Sequence, residues 1–348
     1  MNVSPRTLLA AALLISVPVG ARAADWLVNA DGSGDFPTIQ AAFDAASPGD
    51  VILLGPGVYR DTHTRPLSDW HLEPTAATAI AFAAPGVSIR GVAGAENTIL
   101  DGENAKHCLV GQDLGALEIE GITFLAGRTV GTFGLAAKGG AGVLLFRSQP
   151  TVRSCVFREC IAPGLQSDGA AGLYYVAGSN GQVLDNLFVD NYSGDIGGAI
   201  GILEHSGGLI EGNTFVGNSV GDGGGAIEAN FSQLVLRRNI FAFNEAQGAG
   251  GAIVCLNGTQ IDASCNVFWQ NPSGDGQQVA GCDFLGSSDN VVANPRFCDV
   301  AAGDFTLAEN SPAAGNLSSC GLIGALPIGC GTVSVEAETW GKLKALYR

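Results

Sequence analysis

Three aspartates recur at one period in the middle of this chain and could hold a cation. Asp168, Asp195 and Asp222 each precede an aliphatic residue by five positions, and 27 residues separate one aspartate from the next. If the repeats stack in register, these carboxylates form a column in which like charges raise one another's pKa or recruit a cation. Calcium, which takes several oxygen ligands, suits such a site, and Asp195 and Asp222 are also candidate catalytic carboxylates. Alternatively, each aspartate caps its own glycine-rich turn and lies in solvent.

A second set of polar residues lies on the strands that follow these aspartates. Glu228 is in one such strand, Glu204 and His205 lie about one repeat earlier, and Tyr174 lies another repeat back. Because side chains alternate between the two faces of a strand, Glu228 should point outward. Tyr174, Glu204 and Glu228 could bind substrate, with the tyrosine stacking on a sugar ring and the carboxylates bonding its hydroxyls. Glu228, Glu204 and His205 could also serve glycoside hydrolysis; the alternative is an ordinary solvated surface.

The cysteines point to disulfides rather than to a metal site. The nine cysteines contain no Cys-x-x-Cys pair, and the four histidines lack zinc-type spacing, so a structural role outweighs metal binding. An exported chain is expected to form disulfides, and an odd count leaves at least one cysteine unpaired. Spacing alone establishes no pair, but sequence neighbours suggest Cys155–Cys160, Cys255–Cys265, Cys282–Cys298 and Cys320–Cys330, with Cys108 left over.

An internal repeat predicts the elements that would position these side chains. Four segments read Asn-x-Phe-x-x-Asn, and their phenylalanines are separated by 27, 26 and 27 residues. The segments begin at Asn186, Asn213, Asn239 and Asn266, and a weaker copy has Cys155 and Cys160 in the asparagine positions. A Gly-Gly-Ala-Ile motif recurs between them at the same period. Coils of about 27 residues, each with three short strands, are typical of a parallel β-helix.

The same motifs predict how the coils would pack. Each phenylalanine points inward and stacks on the phenylalanine of the next coil, roughly 4.8 Å away. Each asparagine lies at a bend where the chain visits left-handed conformations, and stacked asparagines form ladders. A helical solenoid fits poorly, because the segments lack a 3.6-residue period and are interrupted by glycine. We predict an all-β fold, a right-handed parallel β-helix.

The segments outside the repeats predict a leader, caps and a tail. Residues 1–23 are expected to be a signal peptide, in which Arg6 precedes an apolar stretch and Ala21-Arg22-Ala23 fits a cleavage site. One β-helix domain is expected over 24–330, with a capping helix at 37–46, regular repeats at 139–271 and a closing region at 272–330, followed by a C-terminal tail at 331–348.

Charge and hydropathy limit the expected partners. Removing the two arginines of the signal peptide leaves a formal net charge of 15 − 33 = −18. Such an acidic chain repels nucleic acid and anionic lipid, so neither is an expected partner. No later segment approaches 18 uninterrupted apolar residues, so no membrane span is expected. We expect a secreted protein or one at the cell surface.

Several segments resemble known β-helix proteins. The segment Asp31–Ala46, followed by Gly55–Tyr59, is similar to the N-terminal segment of pectin methylesterases and related pectin-lyase-like proteins. The Gly-Gly-Ala-Ile and Phe-x-x-Asn repeats resemble those of chlamydial polymorphic outer-membrane proteins, which are surface adhesins. Asn294-Pro-Arg-Phe and Gly303-Asp-Phe-Thr-Leu are similar to the closing region of bacterial right-handed β-helix repeat proteins. The resemblance implies the pectin-lyase-like fold, which hosts many functions.

The enzyme signatures of those relatives are missing. The chain has no counterpart of the Gln-Asp-Thr-Leu, Asp-Phe-Ile-Phe-Gly or Leu-Gly-Arg-Pro-Trp motifs, so pectin methylesterase activity is not expected. We predict a secreted or cell-surface protein that binds a polysaccharide or another surface component. The alternative is a divergent calcium-dependent polysaccharide lyase or glycoside hydrolase that acts on an acidic polysaccharide. The sequence leaves catalysis and the oligomeric state open.

Overall fold

The computed structural model shows a right-handed parallel β-solenoid of about 9 turns. The structure describes residues 23–67, 75–129, 139–164, 169–286, 289–315 and 319–333. Asp168, residues 1–22 of the predicted signal peptide and residues 334–348 of the predicted tail lie outside the described residues. Coils of about 27 residues stack along one axis, and each strand pairs in parallel with its equivalent in the next coil. The fold predicted from the repeat is confirmed.

One helix covers the N-terminal end of the solenoid, as predicted. Helix α1 spans Ile39–Ala45, and Thr38 caps it by accepting a hydrogen bond from the backbone N–H of Ala41 at 3.1 Å. This cap satisfies one of the N–H groups that have no partner within the helix. Ile39 and Phe43 pack into the core. Within the described part of the chain, no helix is long and apolar enough to cross a membrane.

The N-terminal part of the solenoid is less regular than the rest. Its described strands are β1 (Asp25–Val28), β2 (Val51–Leu54), β3 (Gly57–Tyr59), β4 (His63–Leu67), β5 (Thr75–Phe82), β6 (Ser88–Gly91), β7 (Thr98–Asp101), β8 (His107–Glu120) and β9 (Thr123–Leu125). Strands β4 and β5 form an antiparallel hairpin. Leu67 and Ala77 of this hairpin belong to a second apolar cluster, which is separate from the main core.

The regular coils add a fourth, two-residue strand to the three that were predicted. Their strands are β10 (Val143–Arg153), β11 (Val156–Arg158), β12 (Ile161–Ala162), β13 (Leu173–Val176), β14 (Asn180–Leu184), β15 (Leu187–Val189), β16 (Tyr192–Ser193), β17 (Ile200–Ile202), β18 (Gly207–Glu211), β19 (Thr214–Val216), β20 (Ser219–Val220), β21 (Ile227–Asn230), β22 (Gln233–Arg237), β23 (Ile240–Ala242), β24 (Glu245–Ala246), β25 (Ile253–Leu256), β26 (Gln260–Ser264), β27 (Val267–Trp269) and β28 (Val279–Ala280). The first and second strands of the coils join one sheet, the third strands form another, and the fourth strands form a short sheet of their own.

A single stack of phenylalanine rings runs through the core. Its members are Phe124, Phe157, Phe188, Phe215, Phe241 and Phe268, all with no exposed surface. Successive ring centroids lie 4.6 to 5.0 Å apart, and from Phe157 onward neighbouring planes differ by at most 11°. The spacing is that of neighbouring strands in a sheet, because each ring sits at the same position of its coil. The predicted stack is confirmed.

Two ladders of buried asparagines flank the phenylalanine stack. They consist of Asn186, Asn213, Asn239 and Asn266, and of Asn191, Asn218, Asn244 and Asn271. Asn213 is typical, because its Oδ1 accepts hydrogen bonds from the backbone N and Nδ2 of Asn186 at 2.9 and 3.0 Å. Its own Nδ2 donates to Asn239 Oδ1 at 3.0 Å. Each asparagine therefore bonds to both neighbouring coils.

The ladder geometry differs from the prediction in one respect. The left-handed backbone lies at the residue before each asparagine, such as Arg238 with φ of 52° or Phe243 with φ of 60°. This turn aims the following asparagine side chain inward, where it replaces the backbone bonds that the bend interrupts. Cys155 and Cys160 start the two ladders, and the backbone N–H of Cys155 donates to Asn186 Oδ1 at 2.9 Å.

Disulfides hold the closing region, which contains β29 (Val291–Val292), β30 (Phe297–Asp299), β31 (Asp304–Ala308) and β32 (Ile328–Cys330). The observed pairs are Cys255–Cys282, Cys265–Cys320 and Cys298–Cys330, while Cys108, Cys155 and Cys160 are buried thiols. All four pairs suggested by sequence proximity are wrong. The physical reason is that neighbours in the chain lie on different sides of a coil, whereas a separation of 27 residues brings Cys255 beside Cys282 on adjacent coils.

Candidate functional site

The first and second strands of each coil present two outward surfaces of opposite character. We call the outward side chains of the first strands the apolar face; along one column it runs through Val110, Leu144, Tyr174, Gly201, Glu228 and Val254. We call the outward side chains of the second strands the polar face. The exposed turns between them form what we call the turn ridge, with Glu204, His205, Phe231, Leu256 and Asn257.

Tyr174 and Glu228 share the apolar face, two coils apart. Register places Tyr174 beside Gly201 and Gly201 beside Glu228. A Cβ at Gly201 would lie 3.0 Å from the Tyr174 ring, so the glycine leaves room for that ring. Both side chains point outward as predicted, yet Tyr174 is 1% exposed and Glu228 is 4% exposed. Neither is placed to meet a sugar arriving from solvent.

Glu204 and His205 do not join Tyr174 and Glu228. They lie on the turn ridge between β17 and β18, both exposed and both left-handed, with φ of 55° and 62°. The His205 ring lies 6.0 Å from the ring of Phe231 in the next coil. The structure thus divides the predicted binding set between a buried face and an exposed ridge.

Asp195 and Asp222 lie side by side on adjacent coils. The pairing of Ile196 with Gly223 and of Ile200 with Ile227 fixes this register. Asp195 is partly buried and Asp222 is exposed. The third predicted member, Asp168, lies outside the described residues, so a site of three carboxylates stays a prediction.

The column of aspartates continues with a glycine and then with a turn cap. Gly248 follows Asp222, and Asp275 follows Gly248. Asp275 Oδ1 accepts hydrogen bonds from Ser273 Oγ at 2.6 Å and from the backbone N of Gln277 at 3.0 Å. These bonds lower the pKa of Asp275, with the hydroxyl of Ser273 the main cause. At this position of the column, the aspartate caps its own turn.

Potential metal ligands converge at one other place in the described residues. The group consists of Cys265, Asp289 and Cys320. Cys265 and Cys320 are joined in a disulfide, and a disulfide sulfur is not the thiolate that binds metal. The group therefore does not fit a metal site.

The polar face carries hydrogen-bonding side chains in three parallel columns. They are Asn180, Gly207, Gln233 and Gln260; Glu118, Thr151, Gln182, Leu209, Val235 and Asp262; and Arg90, Glu120, Arg153, Leu184, Glu211, Arg237 and Ser264. Gln182, Gln233, Gln260 and Asp262 are exposed. Members of a column stand one strand spacing apart, about 4.8 Å. Leu184, Gly207, Leu209 and Val235 interrupt the columns, so donors and acceptors recur along the face but not on every coil.

Ion pairs hold the N-terminal part of the polar face in place. Arg90 Nη2 lies 3.0 Å from Glu118 Oε2, and Arg153 Nη2 lies 3.0 Å from Glu120 Oε1. Each arginine also contacts the other glutamate. Exposed ion pairs contribute only about 0–1 kcal/mol each to stability. Their main effect here is to fix the positions of charged groups that remain partly exposed.

A further charged group lies at the edge of the polar face. Asp185 has φ of 54°, and a Cβ on Gly212 of the next coil would lie 2.2 Å from its Oδ1, so a side chain at Gly212 would displace this carboxylate. Burial raises the pKa of Asp185, and Glu211 adds to the rise, while Arg238 and Arg153 oppose it. Arg238 Nη2 is held by Glu211 Oε1 at 2.6 Å. The edge thus combines a carboxyl that is harder to ionise with a fixed ion pair.

The polar face as a whole was not predicted from the sequence. The inward positions share phenylalanine and asparagine at a fixed period, but the outward positions vary in residue type from coil to coil. A signal was present, since Gln233 and Gln260 are 27 residues apart and alternate with apolar residues in their strands. Aligning every strand by the period of the phenylalanines would have revealed the columns.

One comparison with known proteins agrees with the fold. Residues 138–297 match a family model described as a right handed beta helix region. No curated protein sequence matches the chain. Among solved structures, a pectin methylesterase from carrot is similar over 78% of this chain and 88% of that chain, at 14% identity and a TM-score of 0.29. A likeness at that level carries no argument about fold or function.

Proposed function

We propose that the protein is a secreted or cell-surface glycan-binding protein that holds an extended polysaccharide along its polar face. The observation that supports this proposal is the column arrangement. Gln233 and Gln260 are exposed amides on adjacent coils of one column. Gln182 is an exposed amide of the neighbouring column, two coils before Gln233. Amides, carboxylates and guanidinium groups together can donate to and accept from sugar hydroxyls.

The spacing of the coils suits an extended sugar chain. Equivalent side chains stand about 4.8 Å apart along the axis, close to the length of one pyranose residue in an extended chain. Two consecutive sugars would therefore meet equivalent amides at Gln233 and Gln260, and sugars further along would meet other polar groups of the face. The ion pairs hold Arg90, Glu118, Glu120 and Arg153 before the ligand arrives, so these four side chains have little freedom left to lose on binding.

The charge of the polar face favours neutral or weakly charged glycans. The chain has a net charge of −16, which disfavours long polyanions. On the polar face, however, Arg90, Arg153 and Arg237 alternate with Glu120 and Glu211 in one column. An isolated carboxylate on a sugar could bind one of these arginines, whereas a dense run of carboxylates would face the glutamates as well.

Binding should be tested first on a glycan array with the folded protein, then by calorimetry with the best polysaccharide. The double variant Gln182→Ala, Gln233→Ala removes two exposed amides of the polar face. Each lost hydrogen bond is worth about 0.5–1.5 kcal/mol, so the affinity should fall about tenfold. The matched control is Gln247→Ala, Gln277→Ala, which removes two exposed amides elsewhere and should leave the affinity unchanged.

Two results would contradict the proposal. One is a folded protein that binds no glycan on the array, and the other is equal affinity for the two double variants. The lyase or hydrolase alternative has one favouring observation, the adjacency of Asp195 and Asp222. Mass spectrometry of the same polysaccharide after incubation with calcium or with chelator tests it, since cleavage lost with chelator and with Asp222→Asn would support catalysis.

A further inference from the structure

Phe231 on the turn ridge places an exposed aromatic ring at a turn whose backbone is left-handed. Its φ is 51°, in the left-handed region, and it is 53% exposed. A bulky side chain is a real outlier in that region, because Cβ crowds the following carbonyl oxygen. The equivalent residues of the two adjacent coils, Glu204 and Asn257, are also left-handed, with φ of 55° and 49°, so this turn imposes the conformation on whichever residue occupies it. Phe231 therefore combines a strained backbone conformation with a ring that is about half exposed and is not part of the core.

The neighbours of Phe231 make it part of a small platform. The His205 ring lies 6.0 Å away at an angle of 45°, and Leu256 on the following coil is 38% exposed. The backbone N–H of His205 donates to the Phe231 carbonyl at 3.1 Å, so the two turns are tied together. The ridge thus exposes two rings and an aliphatic side chain on three successive coils.

Polar groups surround this platform. Asn257 Nδ2 donates to Asn230 Oδ1 at 2.8 Å, which orients the Asn230 amide at the base of the ridge. Glu204 is exposed one coil before Phe231, and Gln233 is exposed two residues after it, at the start of the polar face. An apolar surface bordered by carboxylate and amide groups matches a sugar ring, which has C–H groups on its faces and hydroxyls at its edge.

We propose that Phe231 and His205 form a stacking subsite for a pyranose ring that presents several C–H groups on one face. This inference rests on the proposed glycan-binding function and extends the polar face across the turn ridge. One sugar residue stacks on Phe231, its edge hydroxyls bond Glu204 and Asn230, and the polymer continues onto the column that contains Gln233. Sugars whose two ring faces both carry axial hydroxyls are bound more weakly.

The test compares Phe231→Asn with Phe231→Trp. Asparagine tolerates the left-handed turn but offers no ring, so Phe231→Asn should raise the melting temperature and lower affinity for the array-selected polysaccharide about tenfold. Phe231→Trp keeps an aromatic surface and should bind within about twofold of the wild type. Saturation-transfer NMR with methyl β-D-galactopyranoside, whose ring hydrogens cluster on one face, should show transfer to those hydrogens in the wild type and not in Phe231→Asn.

The outcomes separate this subsite from the proposed function. Wild-type affinity in Phe231→Asn would overturn the subsite, while loss of affinity in Gln182→Ala, Gln233→Ala would still support the polar face. A lower melting temperature in Phe231→Asn would mean that the ring supports the fold, and would also overturn the inference. Failure of the wild type to bind any glycan would reject both proposals.

Discussion

Replacing Asn213 with aspartate should destabilise the solenoid by about 2–6 kcal/mol at neutral pH, although the two side chains have nearly the same shape. Asn213 is fully buried. Its Nδ2 donates to the carbonyl oxygen of Val183 at 2.8 Å, that of Glu211 at 3.1 Å and Asn239 Oδ1 at 3.0 Å. A carboxylate donates none of these bonds. An amide has two hydrogens, so two strong bonds are lost, and each buried acceptor left unsatisfied costs about 1–3 kcal/mol.

The loss in Asn213→Asp should depend on pH with a definite sign. Burial beside other acceptors raises the pKa of the introduced carboxyl above its ordinary value of about 3.9. Between that value and the raised one, the folded state binds more protons than the unfolded state, so stability falls as the pH rises. Below about pH 4 both states are protonated, and the carboxyl O–H can donate one of the missing bonds.

Guanidinium denaturation followed by circular dichroism, at pH 7 and pH 4.5, measures both effects. The control is Asn180→Asp, because Asn180 is exposed and its Nδ2 bonds only the nearby carbonyl of Gly178 at 3.1 Å. The reasoning would be refuted if Asn213→Asp lost no more stability than this control at pH 7. An unchanged deficit at pH 4.5 would refute the argument from burial of the charge.

Two further predictions concern the thiols and the edge of the polar face. Without reductant, a thiol reagent should detect three thiols per chain in denaturant and none in the native protein. The native thiols are buried, and burial raises the pKa of Cys155 and Cys160 to about 12. Detection of more than three thiols in denaturant would contradict the disulfides. Asp185→Asn should stabilise the protein at neutral pH, because burial raises the pKa of Asp185 above 3.8. The wild-type protein loses stability as the pH rises from the pKa of Asp185 in the unfolded state to its raised pKa in the folded state. Melting temperatures from pH 3 to 7 check this, and a difference from wild type that is the same at every pH would contradict it.

The sequence was sufficient to predict the core because the core repeats. Phe188, Phe215, Phe241 and Phe268 mark one position of successive coils, and each ring stacks on the ring of the adjacent coil. Such contacts follow from the period alone. The same period would have predicted Cys255–Cys282, whose separation is one coil. Cys265–Cys320 joins a coil to the non-repeating closing region, so the repeat period does not predict this disulfide.

The candidate site could be predicted only in part. Alternation correctly placed Tyr174 and Glu228 on an outward face, but their burial depends on contacts outside the repeat. Leu67 and Ala77 of the β4–β5 hairpin belong to the same apolar cluster as Tyr174. The exposed ring of Phe231 was not predicted either, since the adjacent coils carry Glu204 and Asn257 at the same position of the turn and give no reason to expect an aromatic side chain.

The asparagine ladders leave the length of the solenoid open to change. Each ladder asparagine accepts from the coil before it and donates to the coil after it, as Asn213 does with Asn186 and Asn239. An inserted coil with the same two asparagines and phenylalanine would find partners on both sides without disturbing the rest. Each insertion would lengthen the polar face by about 4.8 Å. Duplication of the gene segment that encodes one coil would therefore lengthen the polar face by one coil. The number of coils would set the length of polymer that one chain can span.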